Sequence, residues 1–210
     1  MTESSVEWFH RLAEVPGAGY HGEPSVDRRK LRGHDAIPKG ETHTFQGKRV
    51  RSLWWPQKGG GSSASPVQVA AGRPAPDASI AAVRRRLAEV LELPGQASDY
   101  HFAIQGCVQE FWRRRRDEPD VLPHLEELCW INIRLLEARP DAVTNDQATG
   151  PRFYHVVAFG CLIQLYEREG ALREALAVAE RATRFEQEED RLERIRQRLA
   201  SVEAEQETPV

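Results

Sequence analysis

The sequence is poor in cysteine, in lysine and in long apolar runs, and each shortage narrows what the chain can be. The cysteines are three, Cys107, Cys129 and Cys161. Their number is odd, their spacings are wide and no CxxC occurs. A disulfide framework or zinc finger is therefore disfavoured, and free buried thiols in a reducing cytoplasm are expected. Only four of the 29 basic residues are lysine. That bias is the one a GC-rich coding source gives, and it points to a bacterial chain. No stretch approaches the ~18 apolar residues that a membrane span needs. The start, MTESSVEWFHRL, lacks the basic and apolar order of a secretory signal. Walker, GxGxxG, HExxH and GxSxG patterns are missing, so the common nucleotide, zinc-protease and hydrolase signatures are not met.

What is present is unevenly distributed. Residues 1–74 hold 11 Lys and Arg against 7 Asp and Glu, a balance of +4. Residues 75–210 hold 18 against 25, a balance of −7. The spacing of Val6, Phe9 and Leu12 predicts a short amphipathic helix over residues 4–13, stopped by Pro16-Gly17. Residues 15–58 read as irregular, with a hairpin over 42–55 that turns at Gln46-Gly47. Residues 56–76 read as a flexible linker, because Gly59-Gly60-Gly61-Ser62-Ser63 offers nothing to bury. Periodicity then becomes helical. Asp77 or Ser79 caps a helix with an Ile80, Val83, Leu87, Val90 stripe, and Pro94-Gly95 ends it. Further helices are expected at about 99–116, 120–139, 152–168, 171–185 and 187–205, with residues 140–151 as a loop. The segments are thus 1–55 (short helix and basic arm), 56–76 (linker), 77–205 (helical domain) and 206–210 (tail).

An internal match supports a repeated hairpin. Tyr100-His101 with Gly106-Cys107 recurs 54 residues later as Tyr154-His155 with Gly160-Cys161. The matches continue at Val108 and Leu162, Phe111 and Leu165, and Trp112 and Tyr166. With Gly170 as the turn, residues 155–187 resemble a tetratricopeptide hairpin. Phe159, Leu162 and Tyr166 take its large positions, and Ala175 and Ala182 take its small ones. Ile163, Ala179 and Gln187 depart from the pattern, and residues 101–140 follow it only loosely. The resemblance implies an all-α bundle of about six helices and a surface that binds protein segments.

Four groups of residues carry functional candidates. Arg49, Arg51, Trp54 and Trp55 read as a protein-docking patch on the arm, because aromatic and arginine side chains anchor interfaces. Arg28, Arg29, Lys30 and Lys48 read as anion or nucleic-acid contacts, since cations attract phosphates. A solvated tail packed on the helices competes with both. Leu192, Ile195 and Leu199 fall at heptad-like spacing, which suits a homodimer seam or a helix capping the preceding hairpin. The arginine runs 84–86 and 113–116 read as solvated helix surface, with an anion-binding or acidic-partner patch as the alternative. His101 and His155 read as core or capping histidines, and His34-Asp35 lacks an accompanying nucleophile. No catalytic residue, metal or cofactor is expected. The expected function is a cytoplasmic, non-enzymatic adaptor or assembly component with a protein partner. The alternative is a nucleic-acid-associated protein that uses residues 28–58.

Overall fold

The computed structural model describes residues 6–45, 48–57, 59–72, 75, 77–147 and 150–207. At residues 45, 48–50, 145–147, 150–151 and 205–207 it describes the backbone alone. The turn expected at Gln46-Gly47 and the end of the 206–210 tail lie outside the described residues. The protein is mainly helical, with short strands beside the helices. Among the described residues there are seven α-helices: α1 Pro66–Ala70, α2 Ile80–Leu91, α3 Ala97–Arg114, α4 Leu122–Ala138, α5 Val157–Arg168, α6 Leu172–Ala182 and α7 Glu189–Glu207. The strands are β1 Lys39–Phe45, β2 Lys48–Gln57, β3 Gly60–Ser62, β4 Thr144–Gln147 and β5 Gly150–Phe153. The order β1-β2-β3 makes one antiparallel sheet, and β4-β5 makes a second.

The chain divides into two compact units, one of residues 1–107 and 134–142, the other of residues 108–133 and 143–210. The division falls within α3 and α4, not at residues 56–76 as the glycine-rich stretch suggests.

In the first unit the helix expected over residues 4–13 does not form across its described part, residues 6–13. Phe9 instead makes a β-bridge to Gly95, its N–H donating to the Gly95 carbonyl at 2.8 Å and its own carbonyl accepting from Gly95 at 3.0 Å. Only Leu12–Glu14 turn, as a 3₁₀ segment. Phe9 and Leu12 are buried all the same. The reason lies in the turn between α2 and α3. Leu93, Pro94 and Gly95 are buried, and buried backbone polar groups must find partners. Phe9 serves Gly95. Val67 N–H donates to the Pro94 carbonyl at 3.4 Å. The Tyr100 hydroxyl lies 2.9 Å from the Leu93 carbonyl and 3.1 Å from that of Phe9, so its one proton is shared between them. Burial holds that hydroxyl protonated above the ordinary tyrosine range.

Within the expected linker, residues 65–70 are held by the same packing. Ser65 Oγ accepts from Gln68 N–H at 3.1 Å and Ser65 N–H donates to Gln68 Oε1 at 3.2 Å, a reciprocal cap with Pro66 at the first helical position. Gln68 Nε2 then donates to Asp99 Oδ1 at 2.6 Å, while Asp99 Oδ2 accepts from Gln96 N–H at 2.8 Å and so caps α3. Burial raises the Asp99 pKa, and its bonds to Gln96, Ser65 and Gln68 oppose the rise. The glycine run also has a structural use: β3 pairs with Trp55–Gln57, and a Cβ at Gly61 would collide with the Trp54 indole.

In the second unit α5 and α6 form an antiparallel hairpin that turns at Gly170 (φ 74°). Phe159, Leu162, Ala175 and Ala182 are all buried. The Phe185 ring sits 5.4 Å from those of both Phe153 and Phe159. Gln187 fastens the entry to α5, accepting from Val156 N–H at 2.9 Å and donating to the Tyr154 carbonyl at 3.1 Å. Thr144–Gln147 and Gly150–Phe153 pair antiparallel as β4 and β5, where a loop up to residue 151 and a helix from about 152 are expected. Helix α7 packs back on its own unit: Arg194 and Arg198 pair with Glu167 of α5 at 3.5 and 3.1 Å, and Arg196 pairs with Glu180 of α6 at 3.2 Å. Exposed pairs of this kind contribute at most about 1 kcal/mol each, so the buried Ile195 is the main anchor.

The 54-residue match is half structural. Cys107 and Cys161 are both helical and buried. Tyr100 and His101, however, are buried inside α3, whereas Tyr154 and His155 are exposed and precede α5.

Two glycines give opposite expectations. A Cβ at Gly95 would lie 2.8 Å from Val67 Cγ2, whereas one at Gly106 in α3 meets nothing within 4 Å. Gly95→Ala is therefore expected to destabilise by about 1–3 kcal/mol through overpacking. Gly106→Ala should stabilise by about 0.5–1 kcal/mol through helix propensity. Urea unfolding of both variants checks the two signs. Ile195→Ala is expected to cost about 2–5 kcal/mol by the same measurement.

Candidate functional site

Strand alternation sends Leu53 and Trp55 of β2 to one face and Trp54 to the other. Leu53 and Trp55 are buried with Ala36, and Val6 and Trp8 pack against them. The Trp8 and Trp55 rings meet edge-on at 5.8 Å and 84°. Trp55 is 1% exposed, so it is a core residue and not the surface anchor expected from the sequence. Its indole nitrogen has no hydrogen-bond partner among the described residues. Trp54 is 41% exposed on that other face, and Arg51, on the face of Leu53 and Trp55, is exposed as well. The side chains of Lys48 and Arg49 lie outside the described residues.

Beside Trp55 lies an open cleft of about 880 Å³. Ala36 and Trp55 line one part of it, Pro66 and Val69 of α1 another, and Arg32 and Asp35 bring charge. Val69 is 64% exposed, although it sits on a helix whose Val67 is fully buried. Reading residues 56–76 as linker hid this feature. The signal that could have found it is Ser65-Pro66-Val67-Gln68, a capping-box pattern with proline in the first turn. His34, next to Asp35, has its Nδ1 2.9 Å from the Leu31 carbonyl and 3.9 Å from Asp35 Oδ1, so its proton is directed to backbone.

The expected phosphate contacts separate into two kinds. Arg28 is occupied: its Nε donates to the Glu92 carbonyl at 3.1 Å, and its Nη2 donates to the His10 and His34 carbonyls at 3.0 and 2.9 Å. That corrects its reading as an anion contact, since a guanidinium spent on three carbonyls is a clamp. The clamp closes on the α2–α3 turn already held by Phe9 and Val67. The Arg29 and Lys30 side chains are 90% and 82% exposed, 3.7 and 3.4 Å from Asp27.

In the second unit a polar and aromatic cluster joins α4, α5 and α6. Trp130 Nε1 donates to the Tyr166 hydroxyl at 3.0 Å, and that hydroxyl donates to Glu126. The Arg181 guanidinium lies 5.2 Å from the Trp130 ring. Burial first, then the bond to Glu126, pushes the Tyr166 pKa up to about 12. Burial and the neighbouring Cys161 likewise raise the Cys129 thiol, which disfavours a thiolate nucleophile. Of the expected self-association seam, Ile195 is buried within its own unit, while Leu192 and Leu199 are half-buried. This packing is the capping arrangement and leaves Ile195 unavailable to a second copy. Among the described residues no group of three or more His, Cys, Asp or Glu is placed to hold a metal ion, and no helix is long and apolar enough to cross a membrane. No protein-family model, curated protein or solved structure matches the chain.

Arg28→Ala leaves three carbonyls without their charged donor and is expected to destabilise the protein by at least about 2 kcal/mol. Arg29→Ala and Lys30→Ala should each change stability by less than about 0.5 kcal/mol. Chemical denaturation of the three variants checks the contrast.

Proposed function

We propose that the protein is a non-enzymatic protein-binding component whose first unit receives an apolar side chain of a partner segment in the cleft beside Trp55. The observation that carries this reading is the cleft itself. It is open and floored by a buried indole, and a largely exposed Val69 stands on its wall. Interface hot spots favour such preformed pockets, because an apolar anchor entering one sheds water at little cost in ordering. Arg51, exposed on the strand face that Trp55 shares, supplies a cationic contact of the kind that surrounds such anchors.

The α5–α6 hairpin supports the same class of function. Its large residues Phe159 and Leu162 and its small residues Ala175 and Ala182, which carry the resemblance to a tetratricopeptide hairpin, are all buried. On this reading the second unit is a further protein-binding surface, with Trp130, Tyr166 and Arg181 as contact residues. A phosphate-contacting role has weaker support, since Arg28 is spent on three backbone carbonyls and Arg29 and Lys30 stand beside the carboxylate of Asp27.

The test is affinity purification of the tagged full chain from its native host with quantitative mass spectrometry, wild type against Val69→Glu. Val69 is largely exposed, so the variant should keep the wild-type melting midpoint. At least one co-purifying protein is expected to fall by roughly tenfold with the variant, the change that about 1.4 kcal/mol gives. Equal recovery of every partner by a folded Val69→Glu chain would overturn the cleft as the docking site.

A further inference from the structure

β1 is an edge strand whose exposed side is complementary to itself. It pairs with β2 along its whole length, from Lys39↔Trp54 to Phe45↔Lys48, and no other described strand pairs with it. The side chains of Lys39, Glu41, Thr42, His43 and Thr44 are all exposed, so neither face of this strand is covered by the unit's core. A long exposed edge is a template for another strand, because every second residue turns its N–H and C=O away from the partner it already has. A bare two-stranded ribbon is marginal in water, and a further strand adds the hydrogen bonds it lacks.

We propose that this edge receives a second copy of the same chain, with β1 antiparallel to β1 about a two-fold axis at Thr42. In that register Thr42 faces Thr42 of the second copy, and Gly40 faces its Thr44. Glu41 faces His43 of the second copy, and by symmetry His43 faces its Glu41. Thr–Thr and acid–base pairs across strands are favourable, and like charges directly opposite are not. The register is selective. Moving the axis one residue toward the N-terminus sets Glu41 against Glu41, and moving it one residue the other way sets His43 against His43. The two-fold makes the interface isologous and closed, which is the commonest form of dimer.

The hairpin already prepares the histidine for this role. Ser52 Oγ lies 3.3 Å from His43 Nδ1, on the face that Glu41 and Ser52 share as cross-strand partners. When Ser52 donates to Nδ1, the ring proton sits on Nε2, and Nε2–H is then the donor to the carboxylate of Glu41 in the second copy. The glycine opposite Thr44 also fits. Gly40 leaves room on its face for Arg51, whose Nε would lie 3.3 Å from a Cβ there. The interface is separate from the cleft, so its failure would leave the proposed docking function standing.

Sedimentation of the full chain over a concentration series tests the proposal, with three chains compared: wild type, His43→Glu, and the exchange Glu41→His with His43→Glu. The wild type is expected to dimerise reversibly at micromolar concentration. His43→Glu sets two glutamates opposite each other twice and should weaken the dimer by at least about tenfold. The exchange restores each acid–base pair and should recover most of the wild-type affinity, which damage to the hairpin would not do. A wild type that stays monomeric at about 100 µM would overturn the proposal, as would a dimer unaffected by His43→Glu or an exchange variant as weak as the single one.

Discussion

Residues 92–95 connect α2 to α3 and are buried, and a buried connection is only tolerable when its backbone polar groups are matched. Most of the matching groups come from far away in sequence. Phe9 bridges Gly95, Val67 N–H reaches the Pro94 carbonyl, the Tyr100 hydroxyl spans Leu93 and Phe9, and the Arg28 guanidinium takes the Glu92 carbonyl. Each of these bonds is modest alone, about 1 kcal/mol net, but leaving any of the buried carbonyls unmatched costs more. The turn therefore recruits three separate stretches of the first seventy residues, and the first unit exists as a unit because of it. Gly95 is the residue that allows the approach, since a side chain there would displace Val67.

The site follows from that recruitment. Val67 can only reach Pro94 if α1 is formed and held, and the Ser65 and Gln68 cap together with Asp99 provide this. Once α1 is fixed, Val69 and Pro66 stand as one wall of the cleft and Trp55 becomes its floor. The same packing decides which tryptophan is available outside. Trp55 shares its strand face with Leu53 and is taken into the core, while Trp54 on the opposite face stays at the surface over Gly61.

Long-period patterns were legible in the sequence, and local exceptions were not. The Ile80, Val83, Leu87, Val90 stripe, the Ser79 cap and the Gly170 turn all appear as helical spacing predicts, because an apolar stripe at 3.6-residue period has one good solution. Phe9 and Leu12 carry the same period but are buried without a helix, since the bridge to Gly95 competes for the Phe9 backbone. The glycine run misled because composition reports flexibility of the free chain, whereas pairing of β3 with Trp55–Gln57 is a tertiary fact. Thr144–Gln147 carries no apolar alternation at all, so its strand was invisible. Arg28 looked like its neighbours Arg29 and Lys30, and only the position of three remote carbonyls distinguishes it. The Tyr-His half of the internal match misled for a similar reason: identical residues fall inside α3 in one copy and before α5 in the other.

Native-state amide hydrogen exchange on the full chain tests most directly whether the buried turn holds the first seventy residues in place. The Phe9, Val67 and Gly95 amides donate to that network, so they should be protected to a degree comparable with Val90 and Ile104 in the core of α2 and α3. Exchange of Phe9 and Val67 at the rate of an unstructured chain, with α2 and α3 still protected, would contradict it and return residues 1–76 to a detached arm.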